Sequence, residues 1–359
     1  MSSPTLGEQP SPAASEPAVP APPPAVAAIV TTGSQWSDTE FTLRALAAQD
    51  YPRLAVLVLC DAEGEQGLRV RELLPTAAVA DPVSFRRSRG RGMQRGRMGA
   101  VNNRGASLVR GADYLLFLSD RVALASDAIS ILVDDAENVP GRIVGVAGPK
   151  LLDASDGLTL RDLGGTADRL GVRIPVAGQD ELDQEQHDEA RDLFVAPTEA
   201  MLVREDIFRI VGGFDPALEG DGAVVDLCWR IQLSGARVRV VPSATGTVRS
   251  DAAPAAHGPS ARQHEHRARL RTMAKCYGWV HLLPAVILAA VLAAGEVVLA
   301  ALRGRFAQAS DVALAWLWNA RHLGGTFALR GAAKRYRRVR DADLRRLQLI
   351  AFQISDCAE

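Results

Sequence analysis

The chain has 359 residues, which corresponds to two domains at about 150 residues each. Its 41 basic and 42 acidic side chains give a net charge of −1, so its overall field does not favour a nucleic-acid partner. Apolar residues form 47% of the chain, which excludes a wholly disordered protein. The four cysteines are widely spaced, which indicates reduced, buried thiols in a cytosolic compartment rather than a zinc ribbon or a disulfide framework.

The composition divides the chain into three regions. Residues 1–25 hold eight of the 20 prolines, and a segment so poor in large apolar residues is predicted to be a disordered tail. Residues 26–252 carry alternating strand and helix patterns. Residues 253–359 are predicted to form a helical, basic region close to a membrane.

The second region begins with a strand–helix–strand pattern. The apolar runs Val26–Val30 and Leu54–Leu59 are continuous, which is typical of parallel strands covered on both faces. Between them, Thr39–Ala48 has the spacing of an amphipathic helix. A further buried strand is predicted over Asp113–Leu118. These patterns predict an α/β fold with a mostly parallel central sheet.

Polar residues follow the predicted strands, at the sheet edge where open α/β folds bind their ligands. Thr31 ends the first strand, Asp61 follows the second, and Asp120 follows the strand that ends at Leu118. Asp61 could contact a base or ribose, and Asp120 could bind a divalent metal. Asp226 could act as an acid or base, or could favour a helix N-terminus. Taken singly, each of these acids is better explained by a structural role.

Two charged segments interrupt the pattern. Residues 82–112 contain eight arginines and no acid, which fits an anion-binding rim or a solvated loop; nucleic-acid binding is disfavoured because interleaved aromatic residues are missing. Residues 180–192 contain seven carboxylates and His187. His187 could be a pH-sensitive group of an acceptor site, or a residue held in a structural salt bridge.

The third region contains a long apolar stretch. A basic helix is predicted over Arg262–Cys276, and the stretch 282–302 is interrupted only by Glu296. Its 21 residues could span a bilayer of about 30 Å, lie in the membrane interface or form a buried helical hairpin. Arg303, Arg305 and the basic run at 334–340 suit anionic lipid on the cytoplasmic side. We therefore expect the protein at the cytoplasmic face of a cell membrane.

The motifs of the second region, taken together, resemble those of family 2 glycosyltransferases. In chain order they are Thr31-Thr-Gly33, Gln49 to Pro52, Gly111 to Asp120, Gly148-Pro-Lys150, Val211 to Pro216, Val225 to Arg230 and Gly235 to Pro242. The acidic segment with residues 191–194 resembles a large actinobacterial, membrane-associated branch of that family. The resemblance covers about residues 26–350.

This resemblance implies a GT-A fold and transfer of a sugar from a nucleotide-diphosphate donor to a cell-envelope glycan or lipid. Its implied partners are therefore the nucleotide-diphospho-sugar, that acceptor and the membrane surface, and its implied cofactor is Mg²⁺ or Mn²⁺ bound at Asp120. The implied donor-binding residues are Thr31, Asp61, Asn103, Asp120 and Arg121. The implied acceptor-binding residues are His187, Trp229 and Arg230.

Two positions depart from the family pattern. Arg121 stands where a metal-binding carboxylate is expected, and a single aspartate is a weak site for a divalent cation. The position of the family's catalytic base is Val224, which cannot accept a proton, so Asp221 and Asp226 are the nearest replacements. One hypothesis is an active transferase in which Arg121 and the arginine-rich loop neutralise the leaving diphosphate. The alternative is an inactive relative that acts as a binding or scaffold subunit, and the loss of two separate catalytic elements favours it.

Overall fold

The computed structural model describes residues 22–33, 35–82, 98–249 and 259–355. Most of the predicted tail, most of the arginine-rich loop, the predicted boundary at 252 and Cys357 lie outside the described residues. We call residues 26–249 the sheet region and residues 259–355 the helical region.

The sheet region begins with the predicted alternation of strands and helices. Its first elements are β1 (Val26–Thr31), α1 (Trp36–Ala47), β2 (Leu54–Leu59), α2 (Glu65–Leu73), β3 (Ala78–Ala80), α3 (Met98–Leu108), β4 (Tyr114–Ser119), β5 (Val122–Leu124), α4 (Ala128–Asn138) and β6 (Val144–Asp153). The remaining elements are β7 (Leu160–Asp162), β8 (Gly165–Ala167), β9 (Arg173–Pro175), β10 (Arg191–Leu193), β11 (Ala200–Arg204), α5 (Glu205–Ile210), α6 (Gly220–Leu233) and β12 (Arg237–Val248).

The central sheet has the strand order β10-β12-β6-β11-β4-β1-β2-β3. β1 pairs in parallel with both β2 and β4, so that Thr31 lies opposite Leu59 on one side and Ser119 on the other. β11 runs antiparallel between β4 and β6. The carboxyl ends of β2, β1 and β4 therefore meet at one edge, together with the beginning of β11.

Helices cover both faces of this sheet, which explains the uninterrupted apolar character of its strands. Val26, Ala28 and Val30 pack with residues of α1 and α4 on one face. Ala27 and Ile29 point to the other face and pack with residues of α3 and α6. The predicted α/β class with a mostly parallel sheet is confirmed.

The helical region consists of α7 (Pro259–Cys276), α8 (Trp279–Leu302), α9 (Phe306–Arg321), α10 (Leu323–Tyr336) and α11 (Asp341–Ser355). α7 packs directly against α6 of the sheet region, and α9 and α10 pack against α7. α8 is long and apolar enough to cross a membrane, and only 11% of its most apolar window is buried. The alternative of a buried hairpin for this stretch is therefore wrong.

The three cysteines that the structure describes agree with the prediction of buried thiols without a disulfide framework. Cys60, Cys228 and Cys276 are buried and form no disulfide. Burial raises the pKa of the Cys60 thiol to about 11 and those of Cys228 and Cys276 to about 12. These thiols are therefore protonated and unreactive at neutral pH.

Candidate functional site

The carboxyl ends of β2, β1 and β4 bring three of the predicted donor-site residues to one edge. Thr31 ends β1, and its hydroxyl donates a hydrogen bond of 3.0 Å to the side-chain oxygen of Asn102 on α3. Asp61 is exposed just beyond β2. Asp120 follows the last residue of β4. Since neighbouring strands lie about 4.8 Å apart, these residues line one continuous edge.

Asp120 organises the turn that follows β1. Its Oδ2 accepts a hydrogen bond from the backbone N–H of Gly33 and a second, of 3.4 Å, from the hydroxyl of Thr39 on α1. The carboxylate is buried, with 6% of the residue exposed. One of its oxygens thus positions the β1–α1 turn beside the edge formed by the carboxyl ends of β2, β1 and β4.

The described residues do not fit a metal ion held by the protein alone. They contain no group of three or more His, Cys, Asp or Glu side chains that could bind a metal. Asp120 stands next to Arg121, whose guanidinium adds positive charge where a second carboxylate ligand would be needed.

Glu199 is a candidate functional residue that the sequence analysis missed. It directly precedes β11, and its carbonyl oxygen accepts a hydrogen bond of 2.8 Å from the N–H of Ser119 at the end of β4. Its Oε2 is buried and accepts no hydrogen bond. Burial raises the pKa of Glu199 to about 7, and the nearby carboxylates of Asp162, Asp221 and Asp120 raise it while Arg121 lowers it. A carboxylate that titrates near neutral pH is well suited to accept a proton.

Asp221 lies on the same side of the sheet as Glu199. It lies in the first turn of α6 with 57% of its side chain exposed, and its Oδ1 accepts a hydrogen bond from the hydroxyl of Thr198. Arg173 of β9 lies 3.7 Å from its other carboxylate oxygen. The predicted role of Asp221 as a base stays a prediction, and its exposure and its position beside Glu199 are compatible with that role.

Asp226, the other predicted base, lies in the protein core. It is 0% exposed, and its carboxylate contacts the side chains of Arg230, Lys275 and Thr272. An acceptor hydroxyl cannot reach a carboxylate in this position. The structure corrects the prediction, because Asp226 lies within a buried charge cluster that joins α6 to α7.

Trp229 and Arg230 are also core residues rather than acceptor-binding residues. The Trp229 ring is 1% exposed and packs edge-on against Phe194 and Tyr277, with centroid distances of 5.3 and 4.9 Å. Arg230 donates to Asp226 and to the carbonyl oxygens of Val211 and Gly213, at 2.8 and 2.7 Å. The Val225 to Arg230 motif therefore stabilises the fold, because α6 is enclosed by the sheet and by α7.

Asn103 has a structural role in place of the predicted donor contact. Its amide nitrogen donates to the carbonyl oxygen of Phe214 at 2.8 Å, and its amide oxygen accepts from the N–H of Phe214 at 2.9 Å. A Cβ at Gly213, whose φ is +69°, would lie 2.5 Å from that amide oxygen. Asn103 thus fastens α3 to the 211–216 turn, and its neighbour Asn102 is the residue that contacts Thr31.

His187 is held within the acidic segment. Its Nε2 lies 2.9 Å from Glu181, and its Nδ1 lies 3.1 Å from the Arg191 guanidinium. Lys150 fastens the same segment, with its ammonium 2.6 Å from Asp183 and 2.7 Å from Asp188. The structure therefore places His187 in the salt-bridged setting that was the alternative to an acceptor-site role.

Comparison with known proteins relates the chain by fold rather than by sequence. No protein-family model and no curated protein sequence matches it. Its structure resembles that of GalNAc-T7 with UDP, GalNAc and Mn²⁺, with 70% of this chain aligned at 14% identity and a TM-score of 0.50. The chain spans about half of that protein, 48% of its length.

Two other solved structures align at lower TM-scores. The mannosyltransferase PcManGT from Pyrobaculum calidifontis, in complex with GDP-Man and Mn²⁺, aligns over 87% of this chain and 86% of its own, with 17% identity and a TM-score of 0.47. S. aureus TarS 1-349 aligns over 72% of this chain and 68% of its own, with 14% identity and a TM-score of 0.48.

The likeness to GalNAc-T7 and the sheet topology lead to one conclusion about architecture. A mostly parallel sheet interrupted by the antiparallel strand β11 is covered by helices on both faces and followed by a helical region. The likeness to GalNAc-T7 extends over most of this chain. The expected GT-A fold is therefore confirmed.

Proposed function

We propose that the protein is a glycosyltransferase that transfers a sugar from a nucleotide-diphosphate donor to a cell-envelope glycan or lipid at the cytoplasmic face of the membrane. The observation that carries this proposal is the convergence of Asp61, Asp120, Arg121, Glu199 and Asp221 at one edge of a GT-A sheet. The crystal structure of GalNAc-T7 was determined with UDP, GalNAc and Mn²⁺, which supports a nucleotide and a sugar as ligands of the proposed site.

The donor side of the proposed site is formed by β1, β2 and β4. Asp61 is exposed beyond β2 and is available to a base or ribose, and Thr31 and the turn held by Asp120 lie beside it. Arg121 follows Asp120 directly and places a guanidinium at the edge. There it neutralises the negative charge that develops on the leaving diphosphate, because guanidinium groups form strong, bidentate bonds with phosphate oxygens.

The acceptor side is formed by the start of β11 and the start of α6. Glu199 in its carboxylate form accepts the proton of the acceptor hydroxyl. The hydroxyl oxygen then forms a bond with the anomeric carbon of the sugar, and the nucleoside diphosphate leaves with the electrons of the broken bond. Burial raises the pKa of this carboxyl to about 7, which suits proton transfer near neutral pH, and the negative charge of the nearby Asp221 adds to the rise.

The alternative is an inactive relative that binds a nucleotide or a glycan without transferring a sugar. It is favoured by one observation, namely that Val224, at the base position of the family motif, is fully buried. In that case Glu199 would be a structural residue, and replacing it would leave every ligand-binding property unchanged.

Nucleotide binding to the full chain tests the proposal. UDP, GDP and their sugar conjugates would be titrated into the protein by calorimetry, first with Mn²⁺ and then with EDTA, for the wild type and for Arg121→Ala. Binding that survives EDTA and is lost in Arg121→Ala supports charge neutralisation by the guanidinium. Binding that requires Mn²⁺ supports a donor site in which the cation is held jointly by Asp120 and the diphosphate.

Two outcomes would overturn the proposal. If no nucleotide binds, the donor site does not exist. If a nucleotide-sugar binds but the wild type neither hydrolyses nor transfers it, the protein belongs to the inactive class.

A further inference from the structure

α8 presents an apolar face to its surroundings along its whole length. The exposed positions recur with helical spacing and are Val280, Leu283, Pro284, Ile287, Leu288, Val291, Leu292, Val298, Leu299 and Leu302. Individual side chains are strongly exposed, with values of 82% at Val280 and 63% at Val291. At 1.5 Å per residue, the 24 residues of α8 extend this apolar face over about 36 Å. A helix at the surface of a soluble protein exposes its polar face and buries its apolar face, whereas α8 exposes its apolar face.

The opposite face of α8 packs against the protein and contains its acidic residue. Leu282, Ala293 and Ala300 are buried on this face. Glu296 lies 3.4 Å from His266 of α7, and Gln308 of α9 donates a 3.2 Å hydrogen bond to it. The carboxylate that interrupts the apolar stretch in the sequence is therefore turned away from the exposed face.

These contacts argue against α8 as a membrane-spanning helix. α7, which lies along the packed face, carries six charged side chains, at positions 262, 265, 267, 269, 271 and 275. A spanning α8 would either bring those charges into the hydrocarbon or give up its packing, and a charge at the bilayer centre is costly. An α8 that lies in the plane of the membrane keeps all of its protein contacts.

The exposed apolar surface continues onto α9 and α10. Phe306, Leu314 and Leu317 are exposed on α9, with 70%, 47% and 43% of each residue accessible. Trp279 at the start of α8 stacks on Phe327 of α10, with ring centroids 6.0 Å apart, and both rings are exposed. We call the exposed apolar residues of α8, α9 and α10 the apolar face.

The charges around the apolar face are almost entirely positive. Residues 279–340 contain nine Lys and Arg against two acids. Of these acids, Asp311 is buried and Glu296 faces α7. Arg303 and Arg305 are exposed just after α8, and Lys334 and Arg335 are exposed in the last turn of α10. Such a distribution complements anionic lipid headgroups.

We propose that the apolar face is a bilayer-binding surface, which lies in the plane of an anionic membrane with α8 half-immersed and no helix of the described chain crossing it. The proposal deepens the location at a membrane surface given under the proposed function, and it does not depend on transferase activity. It also accounts for Trp279, since tryptophan favours the level of the headgroups.

Vesicle binding by the full chain tests this surface. Sedimentation with vesicles of phosphatidylcholine and phosphatidylglycerol, compared with vesicles of phosphatidylcholine alone, would be measured without any nucleotide. We expect binding to the anionic vesicles that weakens by more than tenfold in the double variant Ile287→Glu/Val291→Glu. The double variant Arg303→Gln/Arg305→Gln is expected to bind about fivefold more weakly for each charge removed.

Matched controls separate the apolar face from other exposed apolar residues. Leu68 and Leu158 are 58% and 59% exposed in the sheet region, close to the 56% of Ile287. Leu68→Glu/Leu158→Glu should bind vesicles like the wild type. Arg121→Ala and Glu199→Gln should also bind normally, so that a failure of the transferase proposal does not affect this test.

Labelling distinguishes in-plane binding from spanning. In a Cys357→Ser background, Ser310→Cys on vesicle-bound protein would be treated with a membrane-impermeant maleimide, and Arg44→Cys in the sheet region serves as the accessible reference. Equal labelling of both positions supports the in-plane arrangement. Protection of position 310 alone would overturn it in favour of a spanning helix. Absence of vesicle binding, together with a dimer that Ile287→Glu/Val291→Glu dissociates, would identify the apolar face as an interface between two copies.

Discussion

Glu199 owes its proposed role to its surroundings rather than to a motif. Burial and three neighbouring carboxylates raise its pKa to about 7, against an ordinary value of 4.5 for glutamate. Because the carboxylate is the form that accepts a proton, transferase activity should rise with pH through a midpoint near 7. Glu199→Gln should lower kcat by about 10²- to 10⁴-fold, measured with the donor and acceptor that the wild type uses.

The neighbouring Asp221 provides a test of which carboxylate is the base. If Glu199 accepts the proton, Asp221→Asn removes a nearby negative charge, and the midpoint of the pH profile moves below that of the wild type while activity is retained. If Asp221 is itself the base, the same variant loses its activity at every pH. The pH profile of kcat/KM for the two variants decides between them.

The difference between these residues shows what could be predicted from the sequence. Asp61 and Asp120 were identified because they directly follow apolar runs of predictable length. Glu199 also borders an apolar run, but it precedes that run, and only the antiparallel pairing of β11 brings its start to the carboxyl end of β4. The pairing direction of a short apolar segment is not encoded in its spacing.

The junction between α6 and α7 is held by a buried charge cluster. Asp215 accepts contacts of 2.6 Å from both Arg271 and Lys275, and Lys275 also contacts Asp226, which is paired with Arg230. All five side chains are buried. Removing one member of such a cluster is costly because its partners are left charged and unpaired.

Asp226→Asn should therefore destabilise the protein by about 3–5 kcal/mol, measured by urea unfolding. The matched control is Glu40→Gln, which breaks the exposed pair with Arg44 on α1 and should cost less than about 1 kcal/mol. If both variants lost the same stability, the junction would not hold the two regions together.

The same cluster makes the stability of the folded protein depend on pH. The pKa of Asp215 and that of Asp226 are both held below their usual values by the neighbouring cations, against the opposing effect of burial. A carboxyl whose pKa is lower in the folded state stabilises the protein above its unfolded pKa, and this stabilisation is lost as the pH falls through the folded pKa. The free energy of unfolding, measured with urea, should therefore decrease as the pH falls below about 4, and Asp215→Asn should reduce this dependence.

The α6 helix also shows why motif residues were assigned incorrectly. Its spacing predicted a helix near Asp226, but the helix is enclosed by the sheet on one side and by α7 on the other. Trp229, Arg230 and Asp226 therefore all point into protein. Since α7 lies far from α6 in the sequence and packs on it only in the folded protein, the spacing of residues within α6 could not show that both of its faces are buried.

The molecule as a whole is built from a sheet region and a helical region that share one core. Tyr277 and Leu282 of the helical region belong to the same buried cluster as Trp229 and Phe194 of the sheet region. A chain that ends at residue 249 would expose Trp229 and leave Asp215 and Asp226 without their partners from α7. We expect it to bind a hydrophobic dye and to lack a cooperative thermal transition, while the full chain melts in a single step.

The fold class could be predicted because apolar runs, helical spacing and turn residues agree over most of the sheet region. The predicted boundary near residue 252 does not separate two independently packed units. The composition changes there because strands give way to helices, while the two regions still pack into one core. A chain ending at residue 249 that melts cooperatively would show that the sheet region is independent after all.

The central position of β11 has a consequence for synthesis on the ribosome. β4 and β6 are both complete by residue 153, yet the strand that joins them does not begin until residue 200. At about 5–20 residues per second, translation leaves these two strand edges unpaired for several seconds. Unpaired edges are templates for pairing with other chains. Nascent chains stalled before residue 200 should therefore aggregate or bind chaperones, and the released full-length chain should not.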